Sequence, residues 1–198
     1  MAKVDTRGSL WRRWDLHFHT PSSFDYRTKT TTNQQIIDSL RANGVSVVAI
    51  TDHHRLDPDR INALRRLAGD DITILPGVEL RSELGGSTSI HYIGIFPEDA
   101  DAEELWTHLQ GKLEISPAKV KSVGDDKVYV PFQKGSAVIR EMGGLVSVHA
   151  GERSNSLERI KNKPVFKQQI KTDGCNSRSA VTRLVHIAPL AQLECGAS

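Results

Sequence analysis

The sequence predicts an α/β protein in which helices cover a largely parallel sheet. Three observations lead to this prediction. Runs of apolar, β-branched residues alternate with helical segments along the chain. These runs are almost continuously apolar, as is typical of strands that are buried on both faces. Four of them end in histidine or glutamate, which places polar side chains at the ends of buried strands.

Five strands are predicted. Four are buried and end in polar residues, and they cover residues 14–19, 45–53, 72–79 and 145–149. The fifth covers residues 89–96, follows a Gly85-Gly86 turn, and is expected to pair with the third strand.

Helices are predicted between the strands, over residues 33–42, 58–68, 101–113 and 132–142. Thr32 is a suitable N-cap for the first helix, and Asn43-Gly44 ends it. Pro58 suits the first turn of the second helix. Residues 116–130 are predicted to be an insertion loop with a short hairpin around Gly124-Asp125.

The composition is that of an ordinary globular protein. Of 198 residues, 38% are hydrophobic and 6% aromatic, and the net charge is +2. These values exclude a fibrous or wholly disordered chain and predict no membrane segment. The N-terminus has no uninterrupted apolar run, so no signal peptide is predicted. Two distant cysteines indicate neither a disulfide framework nor a zinc finger, and they fit a reducing cytoplasm.

The last quarter of the chain has a different character. Residues 152–198 contain 8 basic and 4 acidic side chains, an excess of four positive charges, and no clear amphipathic period follows Gly174. A solvated helix followed by an irregular end is the favoured interpretation, and a weak patch for anionic ligands is the alternative. We therefore expect one domain over residues 1–172 and an atypical tail over residues 173–198.

The histidines are concentrated where the strands end. Five of the eight lie at or just past the end of an apolar run, and they are His17, His19, His53, His54 and His149. Glu79 ends another run in the same way. Carboxyl ends of parallel strands meet on one face, which carries the chemistry in such folds. Imidazole and carboxylate without thiolate are ligands of Zn, Mn or Fe. Several such ions can clamp a phosphate and activate water.

Each of these residues also has a purely structural interpretation as a hydrogen-bonded residue at a strand end. His54 is expected to point away from His53, toward the surface or behind the ligands. Asp52 is expected to orient a neighbour rather than bind metal. Solvent-facing or incidental positions are expected for His108, His186, Glu83 and Glu152. Motifs for a phosphate-binding loop, a dinucleotide site and a nucleophile elbow are absent from the sequence.

Five short motifs follow one another along the chain. They are DLHFHT (15–20), ITDHH (50–54), PGVEL (76–80), SIHYIG (89–94) and SVHAG (147–151). In type and order they resemble the motifs of the polymerase and histidinol phosphatase (PHP) superfamily, over about residues 11–151. The opening GSLWRRWDLHFHTPSSFDY is similar to the N-terminal PHP segment of TrlF-type proteins, which continue into an AAA-like ATPase.

The resemblance implies a distorted seven-stranded β/α barrel, (β/α)7, with a metal centre for up to three divalent ions at the carboxyl ends of its strands. Carried over position by position, it implies that Glu79 is the bridging acid and that Glu79 and His149 take part in catalysis. The implied metal ligands are His17, His19, Asp25, His53, Glu79, His91 and His149.

The end of the chain departs from the family pattern. The family's last motif is DxH, and none follows His149, because Leu184 stands two residues before His186. The expectation is therefore an incomplete barrel, truncated at its C-terminal side, with the first two metal positions opened.

The function predicted from these features is hydrolysis of phosphate esters by metal-activated water. Arg55, Arg81 and Arg153 follow strand ends and are candidates to hold the substrate phosphate, with a solvated surface position as the alternative for each. The substrate class includes nucleotides and nucleic acid, and the family implies an ATPase partner or a lost ATPase domain. Two other functions stay open: a catalytically impaired fragment that binds metal weakly, and a nucleic-acid-associated accessory domain.

Overall fold

Strands and helices alternate along the chain. The structure is a computed structural model and describes residues 12–83 and 89–148. Its strands are β1 (Arg13–Phe18), β2 (Val45–Ile50), β3 (Thr73–Glu83), β4 (Ser89–Ile95) and β5 (Leu145–Val148). Its α-helices are α1 (Asn33–Ala42), α2 (Pro58–Ala68), α3 (Ala102–Leu113), α4 (Pro117–Val123) and α5 (Phe132–Glu141), and residues Asp125–Lys127 form a 3-10 helix.

The strands form one curled five-stranded sheet, a half-barrel, in the order β1-β2-β3-β4-β5. β1, β2 and β3 are parallel, whereas β4 is antiparallel to both β3 and β5. The expected pairing of the third strand with the strand after Gly85-Gly86 is confirmed. The sheet is mixed rather than parallel throughout, because residues 84–88 are too few for the crossover of a dozen or more residues that parallel neighbours need.

The reversal of β4 has a consequence for the site. A strand that runs antiparallel to β3 begins where β3 ends, so residues early in β4 lie at the carboxyl end of β3. The register pairs Arg81 with His91 and Glu79 with Ile93. His91 therefore lies at the same rim as Glu79, although it stands near the start of its own strand.

The main hydrophobic core lies between the sheet and the helices. Side chains alternate between the two faces of a strand, and the helix-covered face carries the larger cluster, which includes Ile37, Leu64, Leu80, Leu109 and Ile139. A smaller cluster of Ala49, Ile93 and Ile95, with Leu16 and Leu75 against it, lies apart from the main core. Glu79 and Arg81 follow Leu75 at even spacing along β3, so the inner face becomes polar toward the rim.

The helix starts follow the capping signals in the sequence. Thr32 and Gln35 form a capping box at α1, and the side chains of Asp57 and Asp101 cap α2 and α3. His108 is exposed on α3, as expected.

The prediction of a loop with a short hairpin over residues 116–130 is wrong. Residues Pro117–Val123 form α4 and Asp125–Lys127 form the 3-10 helix. The Ser116 side chain accepts a hydrogen bond from the Lys119 N–H and so caps α4, while Pro117 provides its first turn. Gly124 ends the helix with φ 88°, a backbone conformation that favours glycine.

The described part of the chain is thus a mixed α/β half-barrel. The seven-strand count and the predicted boundary between residues 172 and 173 concern parts of the chain outside the described residues, and both remain predictions. No helix within residues 12–83 and 89–148 has the length and apolar character needed to cross a bilayer.

Candidate metal centre

β1 brings two histidines to the rim of the sheet. His17 lies in the strand and His19 follows its end. Their Nε2 atoms are 3.1 Å apart, so the two imidazoles project to the same side, as expected. The backbone N–H of His17 donates a 3.2 Å hydrogen bond to Asp15 Oδ1, which holds the strand end locally.

Glu79 joins these histidines to the other side of the sheet. It lies in β3 and is 1% exposed. Glu79 Oε2 is 2.8 Å from His17 Nε2 and 2.7 Å from His19 Nε2. Glu79 Oε1 is 2.6 Å from His91 Nδ1 on β4. One buried carboxylate therefore contacts imidazoles that are far apart in the sequence.

His53 and Asp25 extend this cluster. His53 forms a parallel backbone bridge with Glu79 beyond the end of β2. Its Nε2 lies 3.5 Å from Glu79 Oε2 and 3.6 Å from Asp25 Oδ2. His19 Nδ1 lies 3.1 Å from both carboxylate oxygens of Asp25. The Ser23 hydroxyl donates to Asp25 Oδ1 over 2.6 Å and accepts the backbone N–H of His53 over 3.2 Å, which ties the loop to the rim.

Asp52 anchors the loop after β1. The backbone N–H of Thr20 donates to Asp52 Oδ1 over 2.6 Å, and the Thr20 hydroxyl donates to Asp52 Oδ2 over 2.7 Å. Both residues are buried. Burial raises the pKa of Asp52 to about 6, although the hydrogen bonds from Thr20 act in the opposite direction. Asp52 thus orients Thr20, the residue that follows His19.

The cluster keeps its carboxylates ionised. Burial favours the neutral acid, but hydrogen bonds with three histidines hold the pKa of Glu79 well below its ordinary value. Burial also opposes ionisation of Asp25, yet hydrogen bonds with His19 and Ser23 lower its pKa. Burial acts to lower the pKa of His19, but hydrogen bonds with Asp25 and Glu79 raise it to about 10.

His53 behaves in the opposite way. Burial lowers the pKa of His53 to about 4, against the attraction of Glu79. His19 is therefore protonated at neutral pH, whereas His53 is neutral. A neutral imidazole is the form that binds a metal ion.

The arrangement fits divalent metal ions. Three overlapping sets each bring one ligand atom per residue within 4.8 Å of the others: His17, His19 and Glu79; His19, Asp25 and His53; and His53, Glu79 and His91. Metal–ligand distances of about 2.0–2.2 Å place neighbouring ligand atoms roughly 3 Å apart. The first set already has separations of 2.7–3.1 Å. Nitrogen and carboxylate donors without thiolate suit Zn²⁺, Mn²⁺ or Fe²⁺.

Six of the seven predicted ligands thus meet at one rim, and they are His17, His19, Asp25, His53, Glu79 and His91. His149 lies outside the described residues. Ligand and catalytic roles, including those predicted for Glu79 and His149, remain predictions.

The predicted phosphate-binding arginines lie in different places. Arg81 is buried against the cluster, where its Nε donates a 3.1 Å hydrogen bond to His91 Nε2. Arg55 is exposed and pairs with Asp57 over 3.1 Å. Arg153 lies outside the described residues.

Two further residues lie beside the cluster. Of the two positions expected for His54, the surface is wrong, because His54 is 1% exposed, whereas a position behind the ligands agrees with this burial. One ligand atom each of His53, His54 and Asp125 lies within 4.8 Å of the others. The position of His54 directly after His53 could have indicated a place near the cluster. No signal in the sequence indicated this for Asp125, which follows Glu79 by 46 positions and belongs to a segment predicted as a loop.

Comparison by sequence identifies no relative, since no family model and no curated protein matches the chain.

Comparison by structure finds similar folds. An amidohydrolase from Chromobacterium violaceum, solved with bound sulfate and no metal, matches with a TM-score of 0.53 and 17% identity, over 81% of this chain and 74% of its own. A candidate metal-dependent phosphoesterase from Bifidobacterium adolescentis matches with a TM-score of 0.52 and 18% identity, over 82% of this chain and 75% of its own. The half-barrel therefore has a fold found among hydrolases, one of them named as metal-dependent.

Proposed function

We propose that this chain is a PHP-type domain that hydrolyses phosphate esters with divalent metal ions bound at the rim of its half-barrel. The observation that carries the proposal is the convergence of imidazoles from separate strands on the buried carboxylate of Glu79. The similar fold of a candidate metal-dependent phosphoesterase supports the same reaction class.

Different residues of the cluster would hold different metal ions. His17, His19 and Glu79 would hold one ion, and Asp25 and His53 or His91 would hold others. A divalent ion bound there polarises a phosphoryl oxygen and lowers the pKa of coordinated water. Asp25 faces His19 Nδ1 and so orients the imidazole whose Nε2 points at Glu79.

Arg81 is the predicted phosphate-binding residue that contacts the cluster. Its guanidinium is fixed through Nε to His91 and through Nη1 to the backbone oxygen of Asp125, at 3.3 Å. A guanidinium in this position offers its charge to a phosphate at the rim. For Arg55 and Arg153 we propose only secondary contacts with the substrate phosphate.

The substrate class follows from this chemistry and from the resemblance. A phosphate ester is proposed, with nucleotides and nucleic acid as members of that class. A partnership with an ATPase, and action in the cytoplasm, are proposed from the resemblance to TrlF-type proteins and from cysteine usage.

The test uses the full chain. The protein is stripped with chelator, reloaded with Mn²⁺ or Zn²⁺, and analysed for bound metal, then assayed with 4-nitrophenyl phosphate, bis(4-nitrophenyl) phosphate and a 4-nitroanilide. We expect metal-dependent release from a phosphate ester and a loss of at least about 100-fold in Glu79→Gln. Glu83→Gln is the matched control, because Glu83 is exposed on the same strand.

The outcomes separate the alternatives. Less than about half an equivalent of metal at saturation would refute the metal centre, since a clustered set of ligands binds stoichiometrically. Bound metal without turnover of either ester would favour the catalytically impaired fragment. Faster release of 4-nitroaniline than of 4-nitrophenol would indicate that the chain hydrolyses amides rather than phosphate esters. Salt-dependent nucleic-acid binding without hydrolysis would favour an accessory domain.

A further inference from the structure

A fourth set of metal-ligand side chains lies next to the main cluster and shares only His53 with it. It consists of His53, His54 and Asp125. Two imidazoles and one carboxylate are the protein ligands of many open Zn²⁺ and Fe²⁺ sites. His54 is the last residue of the ITDHH motif, but the resemblance implies a ligand role only for His53 in it, and Asp125 lies in none of the five motifs.

His54 is held in its position by an unusual backbone. Its φ of 49° lies in the left-handed region, which is uncommon for a residue other than glycine. Its backbone N–H donates a 2.9 Å hydrogen bond to the Glu79 carbonyl, which fixes it behind β3. The side chain is buried, and within the described residues neither ring nitrogen has a hydrogen-bond partner.

An imidazole buried in this way is unfavourable unless something binds it. A buried polar group without a hydrogen-bond partner is energetically unfavourable, and a bound ion would remove that penalty. The two ring nitrogens of His54 are such groups, so the ring is available to bind a cation.

Asp125 supplies a carboxylate to the same place. It begins the 3-10 helix after α4, and among the described residues its Oδ2 is buried without a hydrogen-bond partner. His53 adds a third such atom, because its Nε2 faces Glu79 and Asp25 whereas its Nδ1 is buried without a partner in the described part of the chain. Each of the three side chains therefore has a buried ligand atom without a hydrogen-bond partner among the described residues, and one ligand atom of each lies within 4.8 Å of the others.

The charged groups that act on Asp125 are mostly negative. Arg81 is the positive group that acts on Asp125, and Asp25, Asp126 and Glu79 are the negative ones. Around Asp125, these carboxylates thus outnumber the guanidinium.

We propose that His53, His54 and Asp125 bind a divalent transition-metal ion at a site of its own, next to the main cluster and linked to it through the His53 ring. With ions at both sites, His53 would release its remaining N–H proton to solvent and bridge the two ions as an imidazolate. Three protein ligands leave coordination positions open, so the ion would also bind water or an anion.

The first test counts metal ions. The full chain is stripped with chelator, dialysed against Zn²⁺ and analysed for bound zinc, alongside His54→Asn and Asp125→Asn. Asparagine tolerates the backbone of residue 54 and is nearly isosteric with aspartate. Exposed residues of the same types provide the controls His108→Asn and Asp126→Asn.

We expect each site variant to bind one equivalent of Zn²⁺ less than the wild-type chain, while both controls bind the wild-type number. An unchanged number and affinity in both site variants would overturn the proposal. So would loss of all zinc, because His54 and Asp125 would then act on the main cluster rather than form a separate site.

A second test needs no variant. Crystals of the wild-type chain grown with Zn²⁺ should show an anomalous peak about 2 Å from a His54 ring nitrogen and from an Asp125 oxygen. Absence of that peak at saturating zinc would overturn the proposal. Glu79→Gln separates this site from the proposed function, since it should abolish ester hydrolysis while the peak at His54 persists.

Discussion

At the scale of single residues, Glu79 concentrates the electrostatics of the rim. A buried carboxylate is stable only when charges or hydrogen bonds compensate it. Here contacts with His17, His19 and His91 do so, and the charged partner is His19, whose pKa is about 10. The proton on His19 lies where an ion would bind, so metal binding would compete with protonation of His19.

Metal binding should therefore release a proton from His19. Because the pKa of His19 is about 10 in the metal-free chain, the ring is protonated at pH 8 and must lose its proton to bind metal. The affinity should fall by about tenfold per pH unit as the pH decreases below 10, for one released proton. Calorimetric titrations with Zn²⁺ in buffers of different ionisation enthalpy measure this release.

The control for this prediction is His108→Gln, which changes an exposed histidine. It should release the same number of protons as the wild type. A binding enthalpy that is independent of the buffer would contradict the protonation of His19.

Asp52 should be the residue whose loss most affects the loop after β1. In Asp52→Ala the buried N–H and hydroxyl of Thr20 lose their acceptors, which costs about 1–3 kcal/mol for each group left unsatisfied. Asp52→Asn keeps one acceptor and should lose less. Urea unfolding of both variants, with Asp70→Ala as the exposed control, gives the comparison. Equal stability of Asp52→Ala and the control would show that the two hydrogen bonds contribute nothing.

At the scale of elements, β3 is the strand on which the site depends. It is parallel to β2, antiparallel to β4, and carries Glu79 and Arg81 on one face. Close approach at Gly77 makes these pairings possible. A Cβ at Gly77 would lie 2.8 Å from the Gly94 carbonyl oxygen and 3.0 Å from that of Ile50, and neither backbone atom can move freely.

Gly77→Ala should consequently destabilise the chain more than Gly94→Ala. At Gly94 the three atoms nearest to the added Cβ all belong to the side chain of Ile139, with Cδ1 at 2.8 Å, and the adjustment of a side chain costs about 1–3 kcal/mol. Because Gly77 lies two residues before Glu79, its variant should also bind less Zn²⁺. Thermal unfolding and zinc content measure both effects. Equal melting temperatures would contradict the argument from backbone contact.

At the scale of the whole molecule, a metal ion bound at the rim would act as a cross-link. The candidate ligands come from β1, the loop after β1, the residues after β2, and strands β3 and β4. An ion bound there would hold together segments that contact each other only in the folded chain. The unfolded chain cannot present the same set, so metal binding stabilises the fold.

Saturating metal should raise the melting temperature. A ligand at about 100 times its Kd contributes about 2.7 kcal/mol, which for a chain of this size corresponds to roughly 5–10 °C. Differential scanning calorimetry with and without chelator measures the shift. Glu79→Gln should lose most of it and Glu83→Gln should keep it, whereas an equal shift in both would indicate nonspecific metal binding.

Much of the fold follows from local patterns, which is why it could be predicted. The capping residues Thr32 and Asp57 and the apolar run of β2 act on their immediate neighbours, so the sequence alone places α1, α2 and β2. The helix after Ser116 could have been predicted from the same kind of signal. The reversal of β4 depends on the short interval after β3, which is also visible in the sequence.

The candidate site, like the fold, could be predicted from the sequence only in part. By itself, the sequence determined that His17, His19 and His53 lie at or just past strand ends, because strand ends are local features, and their shared rim follows from the direction of parallel strands. The predicted end of the third strand at Glu79 is wrong, because β3 pairs with β4 as far as Glu83. Only the tertiary structure decided that His91 faces the opposite oxygen of Glu79, that His54 turns inward, and that Asp125 lies beside it. These placements depend on the register of β3 with β4, on one left-handed backbone position, and on how the segment after α4 packs, and residues distant in the chain set all three.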